Sequence, residues 1–353
     1  MKSLFTLAEI FVAVLLGGAA QAQTGTGFPP LSPVPQTGQL QNQPAATHFW
    51  FIAAGDNRPA SGQTPQPATL SQIFIDAQRF QPAFFFWSGD IIYGHDVDRK
   101  KLEKQYGEFF GVAQVAKVPV FNAPGNHEMD TVEQQGSVTV ETGDPQLQAY
   151  YLEFMKFPAN APPYGSFDYG NSHFIALDTE EVAPADATRS PRAAIEKKKG
   201  KTILLDPGFV SPLQLELLAQ DIEANKAKAH IFLFMHHPIM PVRSRSALNK
   251  SNADALQALF KQYPNISYVV AAHEHLYYNA TGASLTPSDR QDPSAQGPSY
   301  LVSGGAGAPL DTCPGSAGSR CGSFNHYLVF EVDQSTVKVQ VVQVPSSPKN
   351  KTK

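Results

Sequence analysis

Several features that would place this chain quickly are scarce or missing. It has only two cysteines, Cys313 and Cys321, and no histidine or third cysteine shares their spacing, so they do not form a thiolate metal site. Charged residues make up only 16% of its 353 residues and the net charge is −4, which leaves no basic footprint for a nucleic-acid backbone. Binding to a nucleic-acid duplex is therefore not expected. No heptads or helix-length repeats recur, and no apolar run reaches the ~20 residues that a membrane span requires. What is plentiful is Pro (29) and Gly (26), which favours a loop-rich enzyme over a helical bundle. The length suits one large domain or two modest ones.

The N-terminus reads as an export signal. Lys2 supplies a positive start, Leu4 to Leu16 is apolar apart from Glu9, and Ala20-Gln21-Ala22 gives the small-x-small pattern of a signal-peptidase site. Residues 1–22 are expected to be removed, placing the mature protein in the periplasm or outside the cell; an uncleaved anchor is the other reading. Residues 23–47, rich in Pro and Gln, read as a flexible or polyproline-like leader. A folded domain is expected over 48–346. In an oxidising compartment Cys313 and Cys321 can close a short loop as a disulfide, with a pair of free thiols as the alternative.

From His48 onward, strands and helices alternate. HFWFIAA (His48 to Ala54), AFFFWSGD (Ala83 to Asp90), VPVFNAPGN (Val118 to Asn126), SHFIALDT (Ser172 to Thr179), HIFLFM (His230 to Met235) and ISYVVAAH (Ile266 to His273) are near-continuous apolar runs. Strands of this kind are buried on both faces. Leu102 to Phe110, a helix opening at Ser211-Pro212 with Gln214 at its third position, and Asn252 to Tyr263 supply helical segments. The expected class is α/β, a layered β-sandwich of mixed sheets flanked by helices. The segment from Glu180 to about Asp206, passing through EKKKGK, breaks the rhythm and reads as a solvated insertion loop or a basic rim facing substrate.

The ends of the apolar runs carry the chemistry. They supply in turn Asp56, Asp90 with Tyr93, Asn126-His127-Glu128, His236-His237, and His273 with His275. Each block alone has a bland reading as a turn or a packed histidine. Together, at strand ends where α/β folds bind ligands, they form one pocket of carboxylate, amide and imidazole donors. A carboxylate shared by two cations clamps the attacking and leaving oxygens of an in-line displacement, and imidazoles favour zinc, iron or manganese over calcium.

The ordered blocks resemble the calcineurin-like metallophosphoesterase superfamily, and GDIIY resembles the GDxxY pattern of purple acid phosphatases. The resemblance runs from about His48 to Phe330. It implies two metal ions (Fe, Zn or Mn), with Asp90 bridging, Asp56 and His275 on the first and Asn126, His236 and His273 on the second. It implies that His127 stabilises phosphate and protonates the leaving group, with Glu128 behind it, orienting a neighbouring histidine. The expected reaction is attack of metal-acidified hydroxide on a small-molecule phosphate ester.

Two positions depart from the superfamily pattern. Arg58 stands where a histidine ligand to the first metal is usual; Tyr93 matches the tyrosine that replaces that ligand in purple acid phosphatases, and Arg58 is then free to meet substrate phosphate or to form a salt bridge at the rim. Ala272 stands where glycine is usual before His273. The favoured activity is a phosphomonoesterase. A phosphodiesterase acting on cyclic nucleotides or other diesters, and an exported binding protein without turnover, are the alternatives.

Overall fold

The computed structural model describes residues 27–345 apart from 42, 44, 137, 182–193, 199–200, 206, 245–246 and 288–295. The expected signal peptide lies outside the described residues. Along the chain run β1 (His48–Ala54), α1 (Ala68–Asp76), β2 (Phe85–Ser88), α2 (Arg99–Ala113), β3 (Val120–Ala123), α3 (Asn126–Met129), β4 (Asp130–Gln135), β5 (Val138–Gly143), α4 (Pro145–Phe154), β6 (Gly165–Tyr169) and β7 (Ser172–Ala176). They are followed by β8 (Ala194–Lys198), β9 (Lys201–Leu205), α5 (Pro212–Ala224), β10 (His230–Phe234), α6 (Lys250–Phe260), β11 (Ile266–Ala271), β12 (Tyr277–Asn279), β13 (Ser299–Ser303), β14 (Cys321–Gly322), β15 (His326–Asp333) and β16 (Thr336–Gln343).

Among the described residues the strands form three sheets. One has the order β16-β15-β1-β2-β3, a second β14-β12-β13-β11-β10-β7-β6, and a third β4-β5-β9-β8. The first two are mixed: β1, β2 and β3 run parallel, as do β7, β10, β11 and β13, with antiparallel strands outside them. They face each other across a core dominated by Phe51, Phe84, Phe86, Phe174, Phe232, Phe234 and Phe330. Phe86 and Phe234 stack across that interface with centroids 3.8 Å apart. The outer face of the first sheet packs Phe74, Leu102, Phe109 and Tyr151 from its helices, and that of the second packs Leu218, Ile222, Leu256 and Phe260 from α5 and α6. The result is the expected sandwich flanked by helices, and the continuous apolar runs are its doubly covered strands.

The helix starts follow local chemistry. Asp98 caps α2 by accepting from the Lys100 and Lys101 amides, and the Ser211 hydroxyl accepts from the Gln214 amide ahead of Pro212. The Gln214 side chain does not turn back to its own cap: buried, it pairs instead with the Asp178 backbone at the end of β7.

Two expectations are corrected. The described part of the 23–47 leader is packed rather than flexible, because Phe28, Leu31 and Val34 are buried and Leu31 and Val34 bond to Ser166 and Val120. The segment after Glu180 is not simply a loop: β8 and β9 form a hairpin, and β9 pairs in parallel with β5. The sulfurs of Cys313 and Cys321 are bonded, with Cα atoms 5.9 Å apart.

Candidate metal centre

The carboxyl ends of the parallel strands in both large sheets open on one side of the sandwich. Asp56 follows β1, Asp90 follows β2, Asn126 opens α3 just after β3, His236 follows β10, and His273 and His275 follow β11. The turns holding them are tight. Asp56, Asp90 and His273 all adopt positive φ (60°, 55° and 67°), a conformation that costs of order 1–3 kcal/mol per residue and that accumulates at functional sites. A Cβ on Gly125 would meet an Asp90 carboxylate oxygen at 2.5 Å, so only glycine lets the GNHE turn approach.

The side chains form two adjoining clusters. In the first, Asp56, Asp90 and His275 bring one donor atom each within 4.8 Å of one another. Among the described residues, both oxygens of the fully buried Asp56 lack a hydrogen-bond partner. His275 donates its Nδ1 proton to the Pro309 carbonyl (2.8 Å), which leaves Nε2 as a lone pair 3.7 Å from Asp56. In the second, His236 donates from Nδ1 to the Ser88 carbonyl (2.8 Å), and its Nε2 lies 2.8 Å from Asn126 Oδ1 and 3.3 Å from Asp90 Oδ1. His273 Nδ1 sits 3.1 Å from both Asn126 Oδ1 and His236 Nε2.

In its neutral tautomer, with Nδ1 committed to a carbonyl, His236 presents an Nε2 lone pair to an amide oxygen and a carboxylate oxygen. A proton on either imidazole satisfies part of this set; a cation satisfies all four atoms. The donor set therefore fits a divalent or trivalent metal, as do the unpartnered oxygens of Asp56. The electrostatics agree. Burial, then Asp90, pushes the Asp56 carboxyl well above its usual range, while burial, then His237 and His236, holds His273 well below its own. Burial also opposes charge on Asp90, but His236 and Arg58 outweigh it and hold this shared carboxyl below its usual range.

Supporting residues lock these donors. The Glu128 carboxylate accepts from the backbone amides of Asp90 (2.9 Å), Ile91 (2.9 Å), Ile92 (3.2 Å) and Gly125 (2.8 Å). Its role differs from the expected one: it staples two ligand turns together through their backbones rather than orienting a histidine. Asn57 ties the first turn to the second through Trp87 and the Ile91 carbonyl. Glu274 accepts from the Val242 and Arg243 amides, and Asp311 accepts from the His275 amide (3.1 Å) while pairing with Arg243.

Around the clusters, Arg58 Nε lies 3.4 Å from Asp90 Oδ2, so this cation sits against the shared carboxylate rather than at the outer rim. His127 donates Nδ1–H to the Tyr93 carbonyl and turns Nε2 toward Asp90 Oδ2 at 3.8 Å. Tyr93 is half-buried with its ring edge beside Gly62; its hydroxyl makes no hydrogen bond among the described residues and none to Asp56, Asp90 or His275. His95 packs against His127 with ring centroids 3.9 Å apart and planes tilted by 49°. His237 pairs with buried Glu180 (2.5 Å) and covers His273 at 4.1 Å. His48, His173, His230 and His326 have partners elsewhere: His326 contacts Ser303 and the Phe324 carbonyl, and burial holds it down to about 4.

Sequence reading missed Glu141, which accepts from the Asn126 side-chain amide out of β5. The signal was present. After Gly136, Val138 to Glu141 (VTVE) alternates apolar and polar residues, the pattern of a half-exposed strand leaving a turn.

A β-sandwich with carboxylates, an amide and imidazoles converging at strand ends around one shared aspartate is the framework of a dinuclear metallohydrolase. Residues 47–277 match the calcineurin-like phosphoesterase family model, and the chain belongs to that family of metal-dependent phosphoric ester hydrolases. Among solved structures it is similar to a purple acid phosphatase from yellow lupin (Lupinus luteus) seeds, with a TM-score of 0.59 at 15% identity over 88% of this chain and 53% of that one. This chain thus spans about half the length of the lupin protein. A dimetal phosphatase from Danio rerio gives 0.53 at 15% identity over 84% of this chain and 99% of that one. GAP50, the anchor in the inner membrane complex of Plasmodium, gives 0.53 at 14% over 84% and 85%. At these identities the likeness is one of fold. A search of curated proteins finds no match.

Proposed function

We propose that this chain is an exported phosphomonoesterase acting on small phosphate esters, with Asp56, Asp90, His275 and Tyr93 holding one metal and Asp90, Asn126, His236 and His273 the other. The observation that carries it is the pair of adjoining clusters that share Asp90, one with buried carboxylate oxygens that lack a hydrogen-bond partner among the described residues and one in which an amide oxygen, a carboxylate oxygen and two imidazole nitrogens face each other. The metal pair, when bound, acidifies a water and neutralises phosphate charge; the imidazole and carboxylate donors suit Fe, Zn or Mn.

The residues around the clusters divide the remaining work. Arg58 is a fixed cation beside the shared carboxylate, and its guanidinium matches two phosphate oxygens at once. His127, anchored by its Nδ1 proton, turns Nε2 to the same side. Burial, then His95, disfavours its charged form, so it first takes up a proton as the phosphate's negative charge arrives, then donates from Nε2 to a phosphate oxygen and passes that proton to the departing alcohol. Export is supported by the leader sequence and by the Cys313–Cys321 bond, which suits an oxidising compartment. No helix among the described residues is long and apolar enough to cross a membrane.

Purified protein should hydrolyse an aryl phosphate monoester faster than an aryl diester, lose activity to a chelator and regain it with metal. Full turnover by metal-stripped Asp90→Ala defeats the hydrolase reading; a preference for the diester transfers the chain to the phosphodiesterases. GAP50, described as an anchor, shares the fold, so a binding protein without turnover is the second reading. One bound metal or none per chain, with no hydrolysis, selects it.

A further inference from the structure

Asn126 is a symmetric-looking side chain: an amide whose oxygen can face a cation only if its nitrogen is held elsewhere. A carboxylate accepts and never donates, so whichever atom of Asn126 faces one must be the NH2 group. In β5, Glu141 provides that carboxylate, and the Asn126 Nδ2 donates to its Oε1. The amide oxygen is thereby turned toward His236 and His273, at 2.8 and 3.1 Å. Glu141 is itself buried and braced: His95 Nε2 lies 3.7 Å from the same oxygen, and His95 Nδ1 contacts the Asp130 carbonyl at 2.9 Å. The brace belongs to the third sheet, since β4 begins at Asp130 and pairs with β5 residue by residue, Val132 opposite Glu141.

We propose that Glu141 is a positioning residue for the second metal: it selects the amide orientation of Asn126 and so places the β4–β5 hairpin in control of that site's affinity. This rests on Asn126 being a metal ligand, as argued above. A ligand's hydrogen-bonded neighbour typically matters by one to two orders of magnitude in metal affinity. Removing Glu141 frees the amide to rotate its NH2 toward two imidazole lone pairs, which is where a cation would otherwise sit.

The test is calorimetric titration of the chelated full chain with Mn2+ or Zn2+, supported by metal analysis. Wild type should take two ions. Glu141→Leu, which keeps the bulk but no acceptor, should bind the second ion roughly 10–100-fold more weakly and leave the first unchanged. Glu141→Asp, which keeps the charge but withdraws it by one methylene, should do the same, whereas Glu141→Gln retains an acceptor and should stay within a few-fold of wild type. In an Asn126→Ala background, Glu141→Leu should have no additional effect, which a merely structural role would not produce. Two ions bound with wild-type affinity by both the Leu and Asp variants overturns the inference and leaves the metal-pair reading intact, as does an undiminished Leu effect without Asn126. A wild type that binds fewer than two ions overturns both.

Discussion

Replacing Glu128 by Gln tests whether the site is held by its backbone rather than by its ligands. The carboxylate is 2% exposed and its two oxygens each accept from two backbone amides, all four bonds between 2.8 and 3.2 Å. A glutamine oxygen keeps two of these donors. The NH2 group then points at the other two, leaving two buried N–H groups unsatisfied at about 1–3 kcal/mol each. Against this, burial and then Asp90 raise the Glu128 carboxyl well above its usual range, so a neutral side chain recovers part of the cost of burying charge. The net loss is about 3 kcal/mol, and a domain of about 300 residues should then melt roughly 5 °C lower. The melt is followed by circular dichroism in chelator, so that metal binding does not mask the backbone effect. A Glu128→Gln protein that melts within 2 °C of wild type under those conditions (a margin of roughly 1 kcal/mol or less) would falsify the stapling role.

Four further outcomes follow from the same structure. Chelation should lower the melting temperature of the wild type, and metal at about 100 times its dissociation constant should restore about 2.7 kcal/mol; an unchanged melt argues against a resident metal. Burial opposes charge on His173, but its bonds to Asp168 (2.6 Å) and Asp221 (2.8 Å) outweigh it and raise its pKa, so the stability it contributes is complete below the unfolded value of about 6.5 and is lost as pH rises through the folded one. His173→Gln should flatten that decline in melting temperature; an unaltered slope refutes the assignment. Reducing the Cys313–Cys321 bond opens a loop of sequence separation 8 and should cost about 2.5 kcal/mol by loop entropy, visible as a lower melt with dithiothreitol. If Tyr93 binds a ferric ion as tyrosinate, a preparation with both sites filled with iron should be coloured, and Tyr93→Phe should lose the band; equal spectra remove Tyr93 from the ligand set.

What could be read from the sequence depended on whether one residue's neighbours carry the signal. Strands buried on both faces announce themselves as apolar runs, and a candidate ligand at a strand's carboxyl end inherits that address, which is why Asp56, Asp90, Asn126, His236, His273 and His275 group together in the sequence alone. Phe28, Leu31 and Val34 were hidden because each is a single apolar residue in a Pro- and Gln-rich stretch, and only a tertiary surface makes them core. Glu128 stood in a recognisable motif, yet three of its four bonds run to backbone amides 36 to 38 residues away, which no side-chain pattern encodes.

The same distinction explains why the two clusters are unequally secured. In the second, three of the four donors are fixed by a partner: His236 by a carbonyl, Asn126 by Glu141, and Asp90 through its own amide on Glu128. In the first, His275 is fixed by Pro309, but both Asp56 oxygens lack a hydrogen-bond partner among the described residues and Arg58 presses on Asp90 from 3.4 Å. A buried carboxylate without a partner is costly, so this cluster has the most to gain from a cation. Filling it should therefore release Arg58 from Asp90, because a metal of charge two or more displaces a guanidinium from a shared carboxylate. Arg58→Ala should then weaken substrate affinity in the metal-loaded protein while leaving metal stoichiometry at two. If the substitution instead changes the stoichiometry, Arg58 serves the metal centre and not the phosphate.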